Sequence, residues 1–126
     1  MKKILLKNAN LVLENKIEKA TVLLCEDKIE KIFSKDSDLS QITYDELIDL
    51  EGKYLGPAFV DVHVHGADGA DAMDIDEEAL RRISKYLAKE GTANFLVTTL
   101  TSTKDELKNV LEIAGKLQNK EIDGAN

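Results

Sequence analysis

The 126-residue chain has one cysteine, one proline, no tryptophan and only two histidines. Because a disulfide needs two thiols, Cys25 can form none within the chain, and its apolar surroundings predict a half-buried strand residue. Proline and serine are too scarce for a disordered linker protein, and 43% hydrophobic residues can supply a packed core. The single free thiol favours a cytoplasmic location.

The chain also lacks a long hydrophobic run. No segment approaches the ~20 apolar residues that cross a bilayer, and Lys7 interrupts the apolar start too early for a signal peptide. The net charge of -7 argues against a surface built to bind phosphate backbones. We therefore expect no nucleic-acid or membrane partner.

Both histidines lie in one short stretch, residues 60–66, which reads VDVHVHG. Side chains alternate along a strand, so Asp61, His63 and His65 are predicted to share one face. Two imidazoles on one face can bind a divalent cation, and Asp61 can accept a ring N–H and fix the tautomer. A catalytic zinc usually has three protein ligands, and the spacing alone fits a pair without metal equally well.

The first half of the sequence predicts a small β module. Its segments are rich in Ile, Val and Leu, and the polar pair at 26–27 favours a hairpin. Residues 34–46 are polar and acidic, which predicts a surface loop. The predicted strands are 4–7, 10–13, 19–25, 28–33 and a short piece near 47–50.

The second half predicts the order β-α-β-α. A first helix is expected to start near Asp74, because Asp74 and Glu77 have the spacing of a capping box. A strand at 93–98 and a helix capped by Thr103 and Glu106 follow. The first helix should bury Ile75, Ala79, Ile83 and Leu87, and the second Leu107, Val110, Leu111, Ala114 and Leu117. Strands alternating with helices imply a parallel sheet, in which functional groups gather at the carboxyl ends of strands.

Three segments resemble known enzymes. Residues 55–66, LGPAFVDVHVHG, are similar to the opening barrel strand of the amidohydrolase superfamily. Residues 66–74, GADGADAMD, and 91–101, GTANFLVTTLT, narrow the resemblance to the N-acetylglucosamine-6-phosphate deacetylase family. The resemblance implies an α/β protein in which a partial β-sandwich module, residues 1–55, precedes the first two β-α units of a TIM-like (β/α)8 barrel, residues 56–126.

That resemblance also implies a function. His63 and His65 correspond to the strand-1 ligands of a divalent metal, zinc or iron, and Asp61 supports them. The family hydrolyses the acetamide of N-acetylglucosamine-6-phosphate, an amino-sugar phosphate, to glucosamine-6-phosphate and acetate. The catalytic and phosphate-binding residues lie in later strands, so we expect an N-terminal portion that contains no catalytic residue, binds little or no metal alone and is inactive.

Two other interpretations remain open at this point. Another amidohydrolase, dihydroorotase-like or isoaspartyl-dipeptidase-like, would share the histidine pair but not the segment 70–74. A non-catalytic module would instead use its exposed sheet edge to pair with another chain, since two barrel strands cannot close a barrel of ~250 residues. For the chain in general, we expect a homo-oligomer or an edge-paired assembly.

Overall fold

The computed structural model describes residues 1–118, 120 and 122–126 and shows a mixed α/β chain. It divides into two compact units, Met1–Pro57 and Ala58–Asn126. The first unit contains the strands β1 (Lys3–Val12), β2 (Ile17–Cys25), β3 (Lys28–Ser34), β4 (Glu46–Asp49) and β5 (Tyr54–Leu55). The second contains β6 (Phe59–Val64), β7 (Gly66–Ala67), β8 (Ala70–Asp71), α1 (Glu77–Lys89), β9 (Thr92–Val97) and α2 (Lys104–Leu117).

The first unit is one sheet in the order β3-β2-β1-β4, with β5 also paired to β1. Strand β1 is continuous where two strands, 4–7 and 10–13, were predicted. Its register shifts between Leu6 and Ala9, and Asn8 between them has φ 58°. Asparagine tolerates this left-handed conformation, and the Asn8 amide donates to the Asp49 carboxylate at 2.9 Å. The polar residues therefore make a bulge inside a strand and not a break.

Two separate apolar clusters stabilise this sheet. Val22 and Leu23 are neighbours in β2, yet they belong to different clusters because successive side chains point to opposite faces. One cluster buries Leu5, Leu23 and Phe33, and the other buries Leu11, Ala20 and Val22. The predicted loop contributes Leu39 and Ile42 to the first of these clusters.

The second unit has the predicted order of strands and helices. Strands β6 and β9 pair in parallel, and α1 connects them in the chain. A short hairpin of β7 and β8, which the sequence did not predict, follows β6. The two helices, the strands and the last residues share one core. Its buried members are Val64, Ala70, Ala72, Ala79, Leu80, Ile83, Leu87, Leu117 and Ala125.

The prediction that α1 begins near Asp74 is wrong by one short turn. Residues Ala72–Asp74 form a separate 3-10 turn, capped by Asp71, and Ile75 after it has φ 52°. Asp76 is the true cap, since its side chain accepts the N–H of Glu78 at 3.1 Å. Asp71 thus caps the 3-10 turn and Asp76 caps α1, and the left-handed Ile75 lies between these two elements.

Helix α2 starts where the sequence predicted. Thr103 and Glu106 form the expected capping box. Hydrogen bonds from Ser102 and Thr103 hold the pKa of the Glu106 carboxyl below its ordinary value. The buried face differs from the prediction, because Ile113 packs against the core while Leu111 is 64% exposed.

The last residues pack tightly against α1 and β9. The Ser84 hydroxyl donates to the Ala125 carbonyl at 2.6 Å, and the Ala125 N–H donates to the Ser84 carbonyl at 3.0 Å. Asn126 then pairs with β9 through the Ala93 carbonyl and the Phe95 N–H, at 2.8 and 2.7 Å. Asn126 is therefore hydrogen-bonded to β9, and Ala125 is bonded to α1.

Within the described part of the chain, neither helix is long and apolar enough to span a bilayer.

Candidate metal centre

The two histidines meet at the carboxyl end of β6. Their Nε2 atoms lie 3.0 Å apart, with ring centroids 4.8 Å apart and ring planes at 84°. His63 is exposed and His65 is half-buried. The strand alternation that predicted a shared face therefore places both rings together, with their far nitrogens converging.

This separation fits two ligands of one cation. Two nitrogens that each lie about 2.0–2.1 Å from a zinc ion are roughly 2.8–3.4 Å apart for ligand angles between octahedral and tetrahedral values. Imidazole nitrogen is also a preferred ligand of zinc and iron. The donor set and its geometry thus fit a divalent metal.

The ring of His65 is held from its other nitrogen. His65 Nδ1 lies 2.9 Å from the carbonyl oxygen of Thr98, the first residue after β9. A carbonyl only accepts, so Nδ1 must carry the proton and Nε2 of the neutral ring must present a lone pair. Because β6 and β9 are parallel, their carboxyl ends bring Thr98 and His65 together.

Asp61 makes a different contact from the one predicted. Its Oδ1 accepts the backbone N–H of His63 at 3.0 Å, and no ring contact to Asp61 occurs among the described residues. The reason lies in the register, where Asp61 pairs with Phe95 but Val64 pairs with Val97. Three steps along β6 match two along β9, so the simple alternation that put Asp61 beneath the rings does not hold.

The residue after His65 has room only for glycine. A Cβ on Gly66 would lie 2.3 Å from the Ala70 carbonyl oxygen, because β8 folds back closely on β7. The His65 carbonyl also accepts the N–H of the buried Ala72 at 2.7 Å. The backbone that follows the histidines is therefore fixed by a close approach and a buried turn.

Among the described residues, no third candidate ligand lies beside the histidine pair. No group of three or more histidine, cysteine or acidic side chains is clustered among them. The contact between Thr98 and His65 joins residues 33 positions apart, and the sequence did not predict it. A threonine directly after a strand that neighbours a histidine-bearing strand was the available signal.

Comparison with known proteins supports the resemblance. No family model matches the chain. An N-acetylglucosamine-6-phosphate deacetylase from Lysinibacillus sphaericus is 34% identical over 85 residues, which are 63% of this chain and 22% of that protein. A dihydroorotase from Fusobacterium nucleatum is 39% identical over 61 residues, 48% of this chain and 13% of that protein.

The solved structures agree with the curated relatives. The crystal structure of the N-acetylglucosamine-6-phosphate deacetylase from Pasteurella multocida matches 98% of this chain with a TM-score of 0.83 and 21% identity, and 32% of that chain is covered. The chain thus spans about a third or less of these relatives.

The chain has the fold of this part of an amidohydrolase-type enzyme. Within that class, three curated relatives and the Pasteurella multocida structure carry the name N-acetylglucosamine-6-phosphate deacetylase, and the resemblance predicted from the sequence is confirmed.

Proposed function

We propose that the chain is a portion of a metal-dependent deacetylase that hydrolyses the acetamide of N-acetylglucosamine-6-phosphate. The observation that carries the metal-binding part is the 3.0 Å approach of the two Nε2 atoms. The proposed substrate is taken from the names of three curated relatives, all N-acetylglucosamine-6-phosphate deacetylases, which are 34 to 40% identical to this chain over the aligned segments. An amino-sugar phosphate is thus the proposed small-molecule partner.

His63 and His65 would hold the cation through their Nε2 atoms. When bound, zinc or iron supplies a Lewis acid that polarises a carbonyl and activates water for hydrolysis. The role of this chain is to orient the two rings, through the Thr98 carbonyl at 2.9 Å from His65 Nδ1 and through the backbone of the bulged β6. Because two imidazoles complete no catalytic site, we propose that the chain alone has no turnover.

The finer architecture follows the same proposal. Residues 1–55 would be part of a β-sandwich and residues 56–126 the first two units of a (β/α)8 barrel. The parallel pairing of β6 with β9, connected through α1, supports the second assignment. A cytoplasmic location and a homo-oligomeric or edge-paired assembly stay predictions.

A dihydroorotase-type reaction is the second candidate. It is favoured by the 39% identity to the Fusobacterium nucleatum enzyme, although that similarity covers 48% of this chain against 63% for the Lysinibacillus sphaericus deacetylase. Both reactions would use the same pair of histidines. The segment 70–74, which the resemblance assigns to the deacetylases, separates the two.

Metal binding can be tested on the chain itself. We expect calorimetric titration with Zn²⁺ to show one weak site, because two imidazoles alone do not complete a zinc site, and His63→Ala or His65→Ala to weaken it further on the order of tenfold or more, since each removes a ligand. Cys25→Ser is the matched control, because Cys25 is the free thiol that could bind zinc instead. Equal affinity in the histidine variants would refute the proposed site.

The substrate can be tested by segment exchange. The matched third of the Pasteurella multocida deacetylase is replaced by this chain, and the hybrid is assayed with N-acetylglucosamine-6-phosphate and with dihydroorotate. We expect release of acetate by the hybrid and none by its His63→Ala/His65→Ala form or by this chain alone. Circular dichroism confirms that each hybrid is folded, and a folded hybrid without acetate release contradicts the proposal.

A further inference from the structure

Thr98 contacts the histidine-bearing strand through all three of its polar groups. Its N–H donates to the Val64 carbonyl at 2.9 Å, and its Oγ1 accepts the Val64 N–H at 3.1 Å. Its carbonyl accepts from His65 Nδ1 at 2.9 Å. One residue after β9 thus fixes both the backbone before His65 and the ring of His65 itself.

The hydroxyl also connects back to its own strand. Thr98 Oγ1 donates to the Leu96 carbonyl at 3.2 Å while it accepts from Val64. A hydroxyl has one proton to donate and lone pairs to accept, so both contacts can form together. The hydroxyl therefore links β6 and β9 at their carboxyl ends, where the register of β6 has just shifted.

These contacts determine where the ring protons lie when no metal is bound. The Thr98 carbonyl requires a proton on His65 Nδ1, which leaves His65 Nε2 as an acceptor in the neutral ring. His63 Nε2, 3.0 Å away, must then be the donor of the contact between the rings. The bonding pattern thus assigns opposite tautomers to the two histidines.

We propose that Thr98 is a positioning residue for the metal centre: its hydroxyl anchors the ends of β6 and β9 so that its carbonyl fixes the tautomer of His65 and points Nε2 at His63. The proposal deepens the proposed function, on which its metal-binding consequence rests. The tautomer itself is a property of the metal-free chain and can be measured separately.

The first test needs no variant. Nitrogen-15 NMR of the metal-free chain at pH 8 reports which ring nitrogen carries the proton in each histidine. We expect His65 to be protonated at Nδ1 and His63 at Nε2. A wild-type chain with His65 protonated at Nε2 overturns the proposal.

The second test removes only the hydroxyl. Thr98→Val keeps the shape of the side chain, Thr98→Ser restores the hydroxyl, and Thr99→Val makes the same change one residue further on. We expect Thr98→Val to lose the single tautomer of His65 and to weaken Zn²⁺ binding by about 10–100-fold. Thr98→Ser and Thr99→Val should keep the wild-type NMR pattern and an affinity within about threefold of the wild type.

The outcomes separate the two proposals. If Thr98→Val retains both the tautomer and the zinc affinity, the positioning role is refuted while the metal site stands. If the tautomers follow the expectation but no variant or wild-type chain binds Zn²⁺, the proposed metal site fails and the assignment to Thr98 stands. If Thr98→Val does not fold, the wild-type NMR spectrum and the Thr98→Ser variant decide the question.

Discussion

The two units of the chain are stabilised in different ways. The first has two small clusters of three buried residues each, on different faces of one sheet. The second has one cluster of nine, built from both helices, two strands, the turn and the end of the chain. An amphipathic helix can cover a sheet with a broad apolar stripe, whereas a loop such as residues 34–46 adds only Leu39 and Ile42. Packing energy is therefore concentrated in the unit that carries the histidines.

The largest loss of stability should come from a substitution at the centre of the second unit's core. Ile83 is 1% exposed, and Ile83→Ala leaves a cavity among side chains from several elements. We expect a loss of about 3–5 kcal/mol in the free energy of unfolding. Amide hydrogen exchange followed by mass spectrometry reports the two units separately.

Two variants sharpen this comparison. Leu5→Ala in the first unit should cost about 2–3 kcal/mol, because a cluster of three can collapse around the smaller side chain. Leu111→Ala, at a residue 64% exposed, should change stability by no more than about 0.5 kcal/mol. If Leu5→Ala lowers the free energy of unfolding more than Ile83→Ala does, the second unit is not the more strongly packed of the two.

Alanine substitutions at two glycines should change the stability of the second unit by smaller amounts and in opposite directions. A Cβ on Gly124 would lie 2.7 Å from the Ser84 carbonyl carbon and 2.8 Å from the Lys85 nitrogen, which are backbone atoms. Gly124→Ala should therefore destabilise the second unit by about 1–3 kcal/mol. Gly115→Ala, in α2 with nothing within 4 Å, should stabilise it by about 0.5–1 kcal/mol.

Chemical denaturation of the two glycine variants measures both changes. Because the substitution is the same, differences in unfolded-chain entropy largely cancel between them. Equal stability changes for Gly124→Ala and Gly115→Ala would show that residues 124–126 are not packed against α1 as the structure has them.

The smallest expected change in stability is a pH dependence that arises at the start of α2. The pKa of Glu106 is lowered by hydrogen bonds from Ser102 and Thr103. A carboxylate with a lowered pKa stabilises the fold above its unfolded pKa, and the contribution disappears as pH falls through the lower folded value. The unfolding temperature of the wild type should thus fall as the pH drops below 4.5, which is the ordinary pKa of this carboxyl.

Glu106→Gln is the control for this pH dependence. Glutamine can still reach back to the Thr103 N–H but does not titrate. We expect the difference in unfolding temperature between Glu106→Gln and the wild type to shrink as the pH is lowered. An unchanged difference from pH 7 to pH 3 would argue against the charged capping box.

The sequence predicted the local features well and the long-range contacts poorly. The Thr103–Glu106 box and the order β-α-β-α depend on residues close in sequence, and the structure shows both. The convergence of the histidines followed from strand alternation. The bulge that moves Asp61 to the His63 backbone depends on how β6 pairs with β9, which spacing within one strand does not encode.

Other differences have the same physical origin. Helix α2 buries Ile113 and leaves Leu111 exposed, because the direction of a helix face is decided by the surface it packs on. The contact between Thr98 and His65 joins two parallel strands that a helix separates in sequence. The sequence shows which residues are apolar or polar at these positions. Which residues they contact depends on how the strands and helices pack together.

The burial of Ala125 has a practical consequence for protein engineering. This residue is 1% exposed, and its N–H and carbonyl are both bonded to Ser84, whereas Met1 is 94% exposed. Affinity tags, dyes and surface-immobilisation handles are therefore best attached through Met1, where a fused peptide displaces no buried group and removes only the exposed ion pair of the N-terminal ammonium with Glu26, 3.8 Å apart. A handle fused directly to Gly124 in place of the last two residues would remove Ala125 from the buried core of the second unit.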